Sequence, residues 1–304
     1  MILVLANPSS SGFTGAALRD VLARLGPGAE AHWPETADET ASMAAAAEPG
    51  DVVVAMGGDG MVHHVVRGLV ESGAALGIVP VGTTNVVARL LDVPARPTAA
   101  AAAIVDGSIH TIPLAEATWS SPDGVEHHRP VAFSLGVGWD AEVVASAERE
   151  PYRKATGGIR LYVRETITQL RREVGRLPDL MVEAGGSEAD GAAMAFQAQL
   201  RSAYTFAGPS PIRLGPEPVN GLRIASWRRL RAKEVLPLAI AATTAGGADG
   251  RPDVDTADVD HATVVADHAV RLQIDGEPLG QATRLAVGML AEGLDVVGGR
   301  PAPQ

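Results

Sequence analysis

The sequence predicts an α/β domain followed by an all-β domain, a three-layer α/β fold at the N-terminus and a β-sandwich at the C-terminus. Three observations lead there. Short β-branched apolar runs alternate with segments of helical period through residue 108. Small polar loops, at 7–12, 57–60 and 82–85, stand where those strands should give way to helices. From residue 109 the helical period weakens, and short strand-like runs divided by turn residues occupy 109–284.

The first half is read element by element. Ile2 to Ala6 is a short apolar strand ending in Asn7-Pro8-Ser9-Ser10-Ser11-Gly12. Residues 14–25 carry Ala17, Leu18, Val21, Leu22 and Leu25 at helical spacing, and Gly26-Pro27-Gly28 stops them. A second strand is expected near 30–33, and a helix over 36–47 with Thr36 as N-cap. Val52-Val53-Val54, after the turn residues Pro49-Gly50, has the continuous apolar character of a strand buried on both faces. It runs into Gly57-Gly58-Asp59-Gly60 and then a helix over 61–70, so three glycines surround one carboxylate where a strand ends and a helix starts. A fourth strand over 76–81 leads to Gly82-Thr83-Thr84-Asn85 and a helix over 86–91, with one more helix over 97–105. In a parallel sheet such junctions lie on one edge, where helix N–H groups favour phosphate. Three small polar loops there point to a nucleotide cleft rather than three unrelated turns. Neither GxxxxGK[ST] nor GxGxxG is present, so neither of those mechanisms applies.

In the second half, Ser121-Pro122-Asp123-Gly124 separates two strand-like runs and signals a hairpin. Gly136 to Ala141 opens a helix, and strand-like runs follow at 193–200, 222–227, 262–266 and 270–274. One helix interrupts them, with Ile159, Val163, Ile167, Leu170 and Val174 on a face. Residues 149–176 hold eight Lys/Arg against three acids. Two readings stand for that basic run: a solvated helix face, or a contact with an anionic membrane surface. Asp275-Gly276-Glu277 places two carboxylates at a strand end, which is either an ordinary turn or a proton acceptor for a substrate hydroxyl.

Composition excludes several classes. The 304 residues are 46% hydrophobic and 20% charged, which is globular composition. A formal net charge of -11 argues against general nucleic-acid binding. The absence of cysteine removes disulfides, thiol catalysis and cysteine-ligated zinc. No apolar run of about 18 residues occurs, and the N-terminus lacks a basic n-region, so a cytoplasmic protein is expected.

In their order and spacing, Asn7-Pro8, Gly57-Gly58-Asp59-Gly60, Gly82-Thr83-Thr84-Asn85, the 136–141 segment and Asp275-Gly276-Glu277 resemble the diacylglycerol kinase catalytic-domain family, specifically the bacterial soluble lipid kinases. The resemblance implies an ATP-dependent lipid kinase with Mg²⁺ as cofactor. It implies a nucleotide domain over 1–108, to which the tail from 285 to 304 returns, and a lipid-substrate domain over 109–284. ATP would lie in the cleft between them. By the same resemblance Asp59 would help hold phosphates and catalytic Mg²⁺, Glu277 assisted by Asp275 would accept the proton, and Asn7 to Ser11 and Gly82 to Asn85 would line the nucleotide. Thr36, Gly57, Gly58, Gly60, Met61 and His63 complete the candidate nucleotide contacts. The partners implied are a lipid, a membrane surface met through 149–176 at the inner face of the membrane, and a second copy of the chain.

The sequence also departs from the family pattern. GGDGT-x-N-E becomes Gly57-Gly58-Asp59-Gly60-Met61-Val62-His63-His64, and Val86 follows Asn85 where an aspartate is usual. A structural Mg²⁺ position carries Asn220, a weaker ligand for a hard cation than aspartate. His63 and His64 are adjacent, about 100° apart on a helix, which disfavours a shared ion. These changes keep open a catalytically degenerate lipid- or nucleotide-binding relative, and an NAD kinase-like enzyme shares the GGDG logic.

Overall fold

The computed structural model describes residues 1–148, 166–218 and 221–299. The chain divides into two compact units, Met1–Leu114 with Ala291–Gln304, and Ala115–Leu290.

The first unit is an α/β fold. Its strands are β1 (Ile2–Ala6), β2 (Ala29–His32), β3 (Val52–Gly57), β4 (Ala75–Pro80), β5 (Ile109–Ile112) and, at the end of the chain, β18 (Leu294–Val297). Their order is β2-β1-β3-β4-β18-β5. All neighbours run parallel except β5, which is antiparallel to β18. Val53, Val54, Ala55 and Met56 of β3 are fully enclosed, as the centre of a parallel sheet covered on both faces requires. The helices are α1 (Gly15–Leu25), α2 (Ala37–Ala45), α3 (Asp59–Ser72), α4 (Val86–Leu90) and α5 (Pro97–Asp106). Thr14 and Thr36 cap α1 and α2 by accepting the amides of Ala17 and Glu39 at 3.0 and 3.1 Å. Helices α2 and α3 approach so closely that a Cβ on Gly68 would lie 2.2 Å from the Ala41 carbonyl oxygen.

The second unit is built on a ten-stranded sheet. Strands β6 (Ala115–Ser120) and β7 (Glu126–Val131) form the hairpin expected around Asp123-Gly124. They are followed by β8 (Ser134–Val137), α6 (Trp139–Glu148) and a helix over 166–173, here α7. Next come β9 (Leu180–Glu183), β10 (Gly191–Ala193), β11 (Ala195–Gln199) and a small separate hairpin, β12 (Thr205–Ala207) with β13 (Ser210–Ile212). The chain then forms β14 (Leu222–Trp227), α8 (Val235–Ala241), β15 (Val254–Val259), β16 (His261–Ile274) and β17 (Glu277–Met289). The main order is β15-β14-β11-β8-β16-β17-β6-β7, with β9 also on β16 and β10 on β9. One core cluster draws on most of these strands, through Trp119, Leu135, Val182, Phe196, Ile224, Val264 and Leu285 among others. The α/β plus all-β class expected from sequence is therefore the class observed.

Details differ from the expectation. The runs at 262–266 and 270–274 are one strand, because β16 bridges its irregularity between Val265 and Val270 and changes partner from β9 to β8. Ile109–Ile112 lies in the first unit, because β5 pairs with the returning β18. Residues 285–289 continue β17 in the second unit. Ile159, Val163, Asn220 and the basic run from 149 to 165 lie outside the described residues.

The Gly68 contact is testable. Alanine favours a helix interior by up to about 1 kcal/mol over glycine. Here the added carbon meets backbone atoms, including Ala45 N at 2.8 Å, which cannot swing away as a side-chain end would. Gly68→Ala should lower unfolding stability by about 1–3 kcal/mol, the usual cost of overpacking, in urea titrations. Equal or greater stability would mean that α2 shifts at no cost.

Candidate functional site

In the first unit the site is an edge of the sheet. Strands β1, β3 and β4 are adjacent and parallel, so their carboxyl ends lie side by side and the three polar loops meet. Gly12 N donates to the Val81 carbonyl at 2.8 Å, and the Ser11 and Thr83 hydroxyls are 3.3 Å apart. Val81 N donates to the Gly57 carbonyl at 2.9 Å. A Cβ at Gly82 would lie 2.3 Å from the Gly58 Cα, so only glycine permits this approach. Asn7 turns the first loop by accepting the Ser9 amide at 2.9 Å. Asn85, at a positive φ of 52°, closes the third by bonding both the N–H and the carbonyl of Gly82.

Helix α3 starts inside this cluster. Its N-cap is Gly58, which offers no side-chain acceptor, in contrast to the threonine caps of α1 and α2. The first-turn amides therefore face the loops without a capping oxygen, the arrangement that receives anions. Asp59 ties the loops together by accepting the Val87 amide at 3.3 Å, at the start of α4. Arg89 stands on that helix: burial draws its guanidinium below the usual range, and the nearby Asp59 carboxylate opposes the effect. Arg89 is a site residue the sequence reading missed, although it lies only four positions beyond Asn85.

Three candidate nucleotide contacts have other duties. Met61 is buried directly over Gly57, whose Cβ would lie 2.4 Å from Met61 Cβ. His63 is buried with its ring edge-on to His64. Both offer little surface to a ligand. The Thr36 hydroxyl is engaged as the cap of α2 and is not among the residues the three loops bring together. Among the described residues no group of three or more His, Asp or Glu side chains could hold a metal ion. Asn220 lies outside the described residues.

In the second unit the Asp275-Gly276 turn joins β16 to β17. Both residues have positive φ, 53° and 80°, and Ile274 pairs with Glu277, giving a two-residue hairpin. Asp275 is buried, and its carboxylate accepts the amides of Ala132, Phe133 and Ser134 at 2.9, 2.9 and 3.1 Å. It therefore holds the turn against the segment between β7 and β8, a structural duty, while Glu277 opens β17 with part of its surface exposed.

Behind the turn lies a buried polar network. Gln273 accepts the Gly276 amide at 2.9 Å and donates to Asp140 Oδ2 at 2.9 Å and to the Tyr204 hydroxyl at 2.6 Å. The Tyr204 hydroxyl also donates to Asp140. A Cβ on Gly136 would lie 1.9 Å from Asp140 Oδ2, so glycine makes room for the carboxylate. Burial pushes the Asp140 carboxyl up, against hydrogen bonds from Tyr204, Gln273 and Gln197, and it also pushes the Tyr204 phenol well above its ordinary value. The sequence marked the 136–141 segment but not this role.

Comparison with known proteins finds a likeness in the first unit. The model described as "Diacylglycerol kinase catalytic domain" matches residues 1–117. That match covers fewer than half of the 304 residues, and over it the chain is similar to the diacylglycerol kinase catalytic-domain family. A diacylglycerol kinase of Mycobacterium tuberculosis (strain H37Rv) is 43% identical over 72 residues, 23% of each chain. The matches to curated relatives span at most 25% of those relatives' length. Two solved structures share the fold over nearly the whole chain. A diacylglycerol kinase from Bacillus anthracis str. Sterne has TM-score 0.68 at 16% identity, covering 99% of this chain and 97% of its own. An NAD kinase from Archaeoglobus fulgidus in complex with ATP has TM-score 0.53 at 11% identity, covering 97% and 93%. The loop cluster thus lies within the matched segment, and the Asp275 turn lies beyond it.

The network makes a pH prediction. At low pH Asp140 is protonated in both folded and unfolded chains. As pH rises past the ordinary value of 3.8, the unfolded chain loses the proton while the folded chain keeps it until its raised value is reached. Stability owed to this group therefore falls through that window and then levels. Asp140→Asn cannot ionise, so its stability relative to wild type should climb as pH rises from 3.8, measured by urea unfolding. A difference independent of pH would mean that Asp140 ionises as freely folded as unfolded.

Proposed function

We propose that the chain is an ATP-dependent lipid kinase that transfers the γ-phosphoryl group to a hydroxyl of diacylglycerol or a related lipid. The observation that carries this reading is the uncapped, glycine-led start of α3, set where three polar loops are tied together on one sheet edge. It offers backbone donors and room for a phosphate chain. The family likeness of residues 1–117, and the ATP complex of the NAD kinase with the same fold, support a nucleotide as the ligand.

In this reading Gly57, Gly58 and Gly60 let phosphate oxygens approach the α3 amides, while Gly82 and Asn85 fix the facing loop. Mg²⁺ arriving with ATP would take one protein ligand, Asp59, with phosphate oxygens and water completing its shell, as suits a cation that dehydrates reluctantly. Mg²⁺ supplies neutralisation of phosphate charge when bound. Arg89 adds a fixed positive charge beside Asp59. The lipid hydroxyl oxygen bonds to the γ-phosphorus as the bond to the bridging oxygen breaks and ADP leaves, and Glu277 accepts the hydroxyl proton. Asp275 and Gln273 hold Glu277 by fixing its turn. The acceptor makes a bilayer surface the expected workplace, with dimerisation a further reading to be tested by sedimentation.

A second reading is a catalytically degenerate relative. It is favoured by Met61 and His63, which are buried where the family pattern places a hydroxyl and an amide. One assay separates the readings. The pure protein is given γ-labelled ATP, Mg²⁺ and, in turn, diacylglycerol, monoacylglycerol, sphingosine and NAD. Labelled lipid is the expected result. Labelled NADP would move the protein to the NAD kinases, and nucleotide binding without product would support the degenerate relative. Glu277→Gln should leave nucleotide affinity intact and cut turnover by about 10²–10⁴, the usual contribution of a general base. Unchanged turnover would remove Glu277 from its role.

A further inference from the structure

Backbone donors at the start of α3 suit phosphate and read nothing of a base. A nucleotide held there must rest its base on something else at the same sheet edge. Strand β2 lies beside β1 and parallel to it, with His32 level with Leu5. Trp33, the next residue, is therefore level with Ala6, and Ala6 is level with Met56 of β3. Trp33, Ala6 and Met56 form a row directly before Asn7 and Gly57, where two of the polar loops begin. Trp33 thus stands about 10 Å from the glycine loop, two strand spacings across the edge.

The indole there is open. Trp33 is 52% exposed, whereas the three other tryptophans, Trp119, Trp139 and Trp227, are 5%, 8% and 5% exposed. Tryptophan is on average highly buried, so an open one beside polar loops calls for a reason. Its backbone is also held. Pro34 restricts Trp33 to extended conformations. Just beyond, two capping bonds pin the chain: Thr36 accepts the Glu39 amide at 3.1 Å, and Glu39 accepts the Glu35 amide at 2.6 Å. A large aromatic surface, exposed and on a fixed backbone, is what stacking of a base requires.

We propose that Trp33 is the base platform of the nucleotide site, its indole stacking on the nucleobase of a nucleoside triphosphate whose phosphates lie at the start of α3. The inference deepens the kinase reading and rests on its nucleotide, not on its lipid. It is tested by titrating the whole chain, with Mg²⁺ and by calorimetry, with ATP and with inorganic tripolyphosphate, which has the phosphates and no base. Wild type should bind both, ATP the more tightly. Trp33→Ala should weaken ATP about five- to hundredfold, the range for loss of a base–aromatic stack, and leave tripolyphosphate unchanged. Trp33→Phe should keep most of the affinity for ATP. Because the other indoles are buried, ATP should quench the tryptophan emission of wild type and not that of Trp33→Phe. Circular dichroism and the urea midpoint check that both variants fold. Equal affinity of Trp33→Ala and wild type for ATP would overturn the proposal. So would equal losses for ATP and tripolyphosphate, which would make Trp33 a support for the loops. A dimer that Trp33→Ala dissolves with no loss of ATP affinity would assign the indole to a second copy instead. Wild type that binds neither ligand would overturn the nucleotide reading and this inference with it. Wild type that binds both, with Trp33→Ala unchanged, would leave that reading standing and remove only Trp33.

Discussion

The first unit depends on one close approach, the backbone contact between Gly58 and Gly82. No side chain fits there, since the first carbon of one at Gly82 would fall 2.3 Å from Gly58 Cα. Because the two loops touch through backbone, Val81 can bond Gly57 and Asp59 can accept the Val87 amide of α4. The open start of α3 follows from the same constraint, because its cap is the glycine that makes the contact. The loops hold their shape through main-chain bonds together with the side chains of Asn7, Asn85 and Asp59.

The second unit reaches a similar end by other means. Its β16–β17 turn sets Asp275 at a positive φ beside Gly276, and Asp275 keeps that conformation because its carboxylate satisfies three amides across the gap. Gln273 links the turn to Asp140 and Tyr204, deep in the sheet. A buried network of this kind is costly unless every group is satisfied, and here each member bonds at least one other.

What the sequence revealed followed the range of the interactions involved. Gly57 to Gly60 and Gly82 to Asn85 were legible because a turn's chemistry is written in adjacent residues. The central strands were legible because burial on both faces demands an unbroken apolar run such as Val52 to Val54. Arg89 was not, since its nearness to Asp59 arises only when the third and fourth strands lie side by side. Asp140 and Gln273 were hidden for the same reason, at 133 residues apart. Asp275 was read as an assistant to Glu277, and the sequence did not reveal its three amide partners because they lie 141 to 143 residues away. The junction at 109 was displaced because β5 has the texture of the strands after it but pairs with the far end of the chain.

That last pairing has a consequence for synthesis. Strand β18 lies between β4 and β5, yet it is made after the entire second unit. While the ribosome translates 115–290, the N-terminal sheet stands with β4 as an open edge and a gap where its fifth strand belongs. Domains that form during translation usually close in order of emergence. Here the first unit to emerge is the last to be finished, and through that interval the strand edge beside Leu76 and Gly77, which β18 will cover, is a template for any other strand that passes.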